Sequence, residues 1–204
     1  MNALCVETAD AEFELRFPQG LPQDAGAFFD FCQANRDLRI ERDEAGNVIV
    51  MPPVGSESSG RNAALTAQLY FWAKADGRGK AFDATGGFEL PNGAIRNPDA
   101  AWLRLDKWNS IPRQARRRFA TVCPDFVIEL RSETDRLPAL QEKMAEYVAN
   151  GAILGFLIDP LAGKIHCYRP NREPEILEGS SCLSAEPEMP GLVFDLADIW
   201  QAPG

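Results

Sequence analysis

Two Pro-Asp dipeptides, Pro98-Asp99 and Pro124-Asp125, each open a β-rich run, and the second continues as Asp125-Phe126-Val127-Ile128-Glu129-Leu130-Arg131. Side chains alternate along a strand, so Asp125, Val127, Glu129 and Arg131 share a face. Burying an unpaired carboxylate in so apolar a strand costs on the order of several kcal/mol. Glu129 must therefore meet a cation, a metal ion or a polar partner. If Asp99 ends a neighbouring central strand, the two carboxylates can share Mg²⁺, a hard ion that takes oxygen ligands and keeps several waters, with Mn²⁺ as a substitute. Lys143 lies fourteen residues beyond Glu129, among Gln141, Glu142 and Glu146. An ammonium there would stabilise charge on phosphorus oxygens while a metal-activated water attacks, the minimum equipment for phosphodiester hydrolysis. Plainer roles stay open: Asp99 bonded to its own backbone, Glu129 salt-bridged to Arg131 or Lys143, Lys143 solvated on its helix, and Asp125 a structural cap.

Several elements must form to bring these residues together. Asp24 can cap a helix running to about Arg36, with Phe28, Phe31 and Cys32 on one side. Residues 38–41 alternate, 44–47 carry turn chemistry and 48–51 resume a strand, predicting a hairpin that holds Glu41. Residues 56–76 predict the longest helix, with Ala64, Leu65, Leu69 and Trp72 at helical spacing, Gly77 just beyond, and a stripe that covers a sheet. Strands are expected at 81–85, 88–90 and 100–103, followed by a basic stretch of one or two short helices. Next come a strand at 125–130, a helix at 137–150 with Leu140, Met144, Tyr147 and Val148 on one stripe, and an almost wholly apolar central strand at 153–158. Residues 164–169 pair with it, a further strand lies near Ile176-Leu177, and a short helix ends near Trp200. The order predicts an α/β fold, a mixed β-sheet flanked by helices with an N-terminal β-hairpin. It forms one domain over 21–204 behind an arm at 1–20.

A chain of 204 residues that is 45% hydrophobic can bury a core without external staples. No basic segment leads into an apolar run at the N-terminus, and no stretch approaches about 18 apolar residues, which argues against secretion or membrane spanning and for the cytoplasm. Five scattered cysteines without a CxxC pair fit neither a disulfide framework nor a zinc site. The net charge of −9 argues against coating nucleic acid by bulk attraction, but it hides an asymmetry. Between Arg104 and Arg118 six cations face one acid, Asp106, so that segment is net +5 and the remainder −14, leaving room for a phosphate-binding face as well as for a merely solvated one. His166, the single histidine, cannot form a dyad with its strand neighbour Cys167; Cys123 with His166 would be an unsupported thiol hydrolase. No Walker-type loop, GxGxxG or GxSxG is present, which excludes the common nucleotide-cofactor and serine-hydrolase motifs.

The segments IERDEAGNVIVMPPVGSESSGRNAAL, GFELPNGAIRNPDAAW, CPDFVIELRSETD, LQEKMAEYVANGAILGFLIDP and PGLVFDLADIW together resemble the Uma-two-type restriction endonuclease family, a branch of the PD-(D/E)XK nucleases. The resemblance extends from about Leu38 to Trp200. It implies a restriction-endonuclease-like core, a Mg²⁺-dependent DNA endonuclease, Asp99 as the PD aspartate and Glu129 as the (D/E)XK glutamate. Arg131 stands where the superfamily has lysine, and the family implies that Lys143 on the next helix takes that role. Glu41 matches an acidic family position and is expected as a further metal ligand, or as a residue that holds one through water. Where many members place a histidine, this chain reads Gly60-Arg61-Asn62, so that the histidine's role is either absent here or taken by Arg61. The implied partner is DNA, bound through the 104–118 segment, and two cuts on two strands imply a homodimer. The alternatives are a non-catalytic DNA-binding or regulatory module on the same fold and a metal-dependent hydrolase acting on another phosphodiester, such as RNA or a small nucleotide.

Overall fold

The apolar run that holds Glu129 becomes a central strand in a computed structural model, which describes the backbone of residues 2–8, 11–17 and 24–200 and the side chains of 24–200. Strands β1 (Asn2–Thr8) and β2 (Ala11–Phe17) pair antiparallel as a separate two-stranded sheet. The arm boundary expected at 20–21 lies outside the described residues. Helix α1 (Ala25–Ala34) starts where Asp24 accepts a 2.8 Å bond from the Ala27 amide, and its Phe28 and Phe31 bury against Ile40 and Ile95. Strands β3 (Arg39–Arg42) and β4 (Val48–Met51) form the expected hairpin, with Glu41 opposite Ile49. Helix α2 (Ser56–Asp76) stops at Gly77, whose φ of 73° closes the last turn in the left-handed conformation that glycine adopts without a Cβ clash.

Strands β5 (Gly79–Asp83), β6 (Phe88–Glu89), β7 (Ile95–Arg96) and β8 (Ala100–Arg104) follow, then α3 (Leu105–Ser110), a 3₁₀ turn at Ala115–Arg117 and β9 (Ala120–Thr121). Next are β10 (Phe126–Leu130), α4 (Leu137–Ala149), β11 (Leu154–Asp159), β12 (Lys164–Tyr168) and β13 (Glu175–Glu178). The chain closes with β14 (Cys182–Ser184), β15 (Val193–Asp195) and α5 (Ala197–Trp200). The main sheet has six strands in the order β13-β12-β11-β10-β8-β5, and β10 and β11 are its parallel pair. That pair needs a crossover, and α4 is the crossover helix. Phe126, Ile128 and Leu130 of β10 pack toward α2, while Val127 packs toward Met144 and Tyr147 of α4. The alternation read from the sequence is the alternation observed, and it puts Glu129 on the α4 side.

The structure divides the expected single sheet. A second sheet, β4-β3-β7-β6-β9, is built partly from two-residue strands that lie between Pro, Gly and Asn turns. Of these, β6 lies within the strand expected at 88–90, whereas β7 and β9 are too short to show a period of two in the sequence. No described helix is long and apolar enough to cross a membrane.

Candidate active site

Asp99, Glu129 and Lys143 meet where the two large sheets adjoin. Asp99 directly precedes β8, and the antiparallel register that pairs Ile128 with Ala100, continued by one residue, sets Asp99 opposite Glu129. Asp99 Oδ2 accepts the Leu130 amide at 2.9 Å, while Oδ1 accepts from Arg39 Nη2 at 3.1 Å and Asn62 Nδ2 at 3.3 Å. Three elements therefore fix this carboxylate: β3, α2 and β10. Lys143 leans from α4 with its Nζ 2.8 Å from Glu129 Oε1 and 2.8 Å from Glu41 Oε1. Tyr147, four residues along the same helix, donates to Glu129 Oε1 at 3.1 Å. The i, i+4 spacing places both donors over one buried carboxylate.

The charges are arranged unequally. Burial drives the Glu129 carboxyl up, Lys143 pulls it down, and the neighbouring Asp99 and Glu41 charges leave it raised from 4.5 to about 7. Burial also opposes charge on Glu41, but Lys143, the Asn97 amide and Arg96 outweigh it and hold that carboxyl below its usual range. For Lys143, burial works against the ammonium, and the two glutamates overcome it and keep the side chain protonated far above neutral pH.

A cavity of about 50 Å³ is lined by Asp99, Glu129, Lys143, Asn62, Ser132 and Arg39, among others. That volume accommodates a cation with about three water-sized ligands. Glu129 Oε2 takes no hydrogen bond from the described residues, and the Oδ1 atom of Asn62 is buried without a partner. These oxygen donors suit a hard divalent ion. Among the described residues no three Asp, Glu, His or Cys side chains form a ready-made ligand cluster. The fit is instead that of an ion held by two carboxylates and water, the usual manner for Mg²⁺.

Glu41 stands apart from that cavity, in a larger cleft along α4. Its Oε1 accepts from Lys143 and the Asn97 amide, and Oε2 from Arg96 Nη1 at 3.3 Å. It is surrounded by cationic and amide donors. Arg61 reaches Glu57 at 3.7 Å, and Asn62 next to it is the residue that contacts Asp99. Arg131 turns to Asp159 at 2.8 Å. Asp125 is a structural anchor: Oδ2 accepts the Arg104 amide at 2.9 Å and Oδ1 lies 2.7 Å from Lys107 Nζ. Arg104 is five residues along β8 from Asp99, about 17 Å at the rise of a strand. Most of the basic segment is engaged internally, with Arg116 over the Trp108 ring and Arg118 on Asp30 and the Phe29 ring. Cys123 donates to the Tyr147 carbonyl at 3.4 Å, and burial pushes its thiol up to about 12, the opposite of an activated nucleophile.

Sequence reasoning missed Arg39, Asn62, Tyr147 and Arg96. Tyr147 carried the one available signal, a polar-tipped aromatic on the buried stripe of the helix that bears Lys143.

Residues 25–197 match the profile of Uma2, a family described as "Putative restriction endonuclease". The chain belongs to the Uma2 family. The match spans α1 to the first residue of α5 and takes in Glu41, Asp99, Glu129 and Lys143. Among solved structures, one described as "a putative nuclease belonging to DUF820 from Anabaena variabilis ATCC 29413" has a similar fold, with a TM-score of 0.66 at 20% identity over 79% of this chain and 89% of that one. No curated protein matches the Uma2 chain. The mixed α/β architecture expected from the resemblance is thus the one this family member has.

Proposed function

We propose that this Uma2 protein is a divalent-metal-dependent DNA endonuclease in which Asp99 and Glu129 hold Mg²⁺, or Mn²⁺ in its place, and Lys143 stabilises the transition state. The observation that carries the proposal is the contact between the Lys143 ammonium and Glu129, at the cavity lined by Asp99. When bound, a divalent ion supplies Lewis-acid polarisation of a phosphodiester and an acidified water. The protein's own residues supply orientation and charge. Arg39, Asn62 and the Leu130 amide fix the Asp99 oxygens, so the ligand is organised before substrate arrives. Tyr147 and Lys143 fix Glu129 Oε1 and leave Oε2 for the ion. Lys143 stays charged because two glutamates face it, and its ammonium is placed to meet charge developing on a phosphoryl oxygen. Glu41 serves as the counter-ion that holds Lys143, in place of the metal-ligand role expected from the family position.

Nicking of supercoiled plasmid with Mg²⁺ or Mn²⁺ tests the assignment. Activity is expected in wild type and absent in Asp99→Asn and Glu129→Gln; cleavage undiminished in both variants overturns it. One observation favours the second reading, a DNA-binding module without turnover: Arg39 already neutralises Asp99 at 3.1 Å. That module would bind duplex in a salt-dependent way with no divalent-dependent cleavage.

A further inference from the structure

A groove of about 600 Å³ lies between α2 and β5, the edge strand of the main sheet, and its inner end is Asp99. Its outer wall is Tyr70 and Phe71, adjacent on α2 and 50% and 70% exposed, with ring centroids 5.8 Å apart. Phe82 of β5 lines the groove as well, and Asn62, Thr66 and Thr85 supply the polar atoms. Lys74 is exposed on α2, one turn beyond Phe71, and forms no ion pair among the described residues.

We propose that this groove is a nucleotide subsite, taking one unstacked base of a DNA strand beside the phosphate that a divalent ion at Asp99 would hold. The inference rests on the nuclease reading and names the substrate form it requires. Asp99 and Asn62 line both this groove and the carboxylate cavity, so an occupant of one abuts the other. A second copy of the chain seated on the groove would cover the approach to Asp99, whereas the base of a substrate nucleotide would bring its phosphate there. Aromatic faces with a few hydrogen-bonding groups match the chemistry of a base, which stacks whatever its sequence. Lys74 gives the adjoining phosphate a cation. Asp83, at the rim, is occupied by the Thr85 amide and hydroxyl at 3.0 and 2.6 Å. A base reaches such a groove only from a single strand or by leaving its duplex stack.

The test is fluorescence anisotropy with a labelled single-stranded oligonucleotide, the same strand carrying abasic positions, and the matching duplex, all in EDTA so that nothing is cut. The intact strand is expected to bind about tenfold more tightly than the abasic strand, and Phe71→Ala and Tyr70→Ala are expected to remove that preference. Both side chains are exposed, so an unchanged melting temperature shows that the fold persists. Equal affinity for intact and abasic strands, in a protein that still cuts DNA with Mg²⁺, overturns the subsite and leaves the nuclease reading standing. A base preference without any cleavage keeps the subsite and removes the nuclease reading. Dissociation of a dimer by Phe71→Asp with DNA affinity unchanged assigns the groove to a second copy and overturns the proposal.

Discussion

Lys143 sets the electrostatics of the site because one ammonium serves two buried carboxylates. Replacing it by methionine keeps the stem and removes the charge, leaving Glu129 without its ammonium and Glu41 with Arg96 alone. A loss of about 3–5 kcal/mol is expected by urea denaturation at pH 8, with part recovered at pH 5, where Glu129 takes a proton. Glu129 itself gives a pH dependence of defined sign. Its folded pKa of about 7 lies above the ordinary 4.5, so between those values the native state binds the extra proton. Stability in EDTA therefore falls as pH rises from 4.5 through 7, by up to about 3 kcal/mol from this group. Glu129→Gln should flatten that slope in thermal melts while abolishing cleavage. An unchanged slope would place the ionisation elsewhere. Added Mg²⁺ should raise the melting temperature of wild type more at pH 8 than at pH 6, and leave Glu129→Gln unmoved.

At the scale of elements, α4 does the positioning: Met144 and Tyr147 pack it on the main sheet, and polar contacts tie it to the second. Gly155 of β11 leaves room for the tip of the Met144 side chain: a Cβ there would fall 2.5 Å from Met144 Cε. Glu146 ties the helix to the second sheet, with its Oε2 2.6 Å from Arg96 Nε and its Oε1 accepting from Asn92 Nδ2 at 2.9 Å. Arg96 in turn touches Glu41, so the clamp on α4 and the cradle of Lys143 share a guanidinium. Glu146→Ala should cost about 1–3 kcal/mol in denaturant and lower the cleavage rate without touching a metal ligand, by loosening Lys143. A variant equal to wild type in both measurements would show that packing alone holds the helix.

For the whole molecule, net charge is a poor guide to where DNA would lie. The chain is at −9, and within its most basic segment, 104–118, Arg104 and Lys107 sit at buried Asp125, at the far end of β8 from Asp99, while Arg116 lies over the Trp108 ring. Lys107→Met should therefore destabilise the fold by about 1–3 kcal/mol, because it strips a buried carboxylate of the nearer of its two cations. DNA affinity and its salt dependence should stay as in wild type. A weaker, less salt-sensitive complex would return this segment to the phosphate-contacting role expected from its composition.

The sequence alone carried the long elements, because α2, α4 and β10 each repeat their apolar period often enough to be read. It also marked Glu129, since a carboxylate at the centre of β10 demands a partner whatever the fold. Of the short strands, β6 fell within the run read at 88–90, but β7 and β9, and with them the division into separate sheets, were not legible, because a two-residue strand has no period and forms only when its partners are in place. Nor were the partners of Asp99: Arg39 is 60 positions away and Asn62 is 37, distances the chain closes only through β3 and α2. Residue type indicated that acids and a lysine were available for chemistry. Packing decided which acid faces the cavity and which holds the lysine, because that depends on the docking of α4 across two sheets that are not neighbours in sequence.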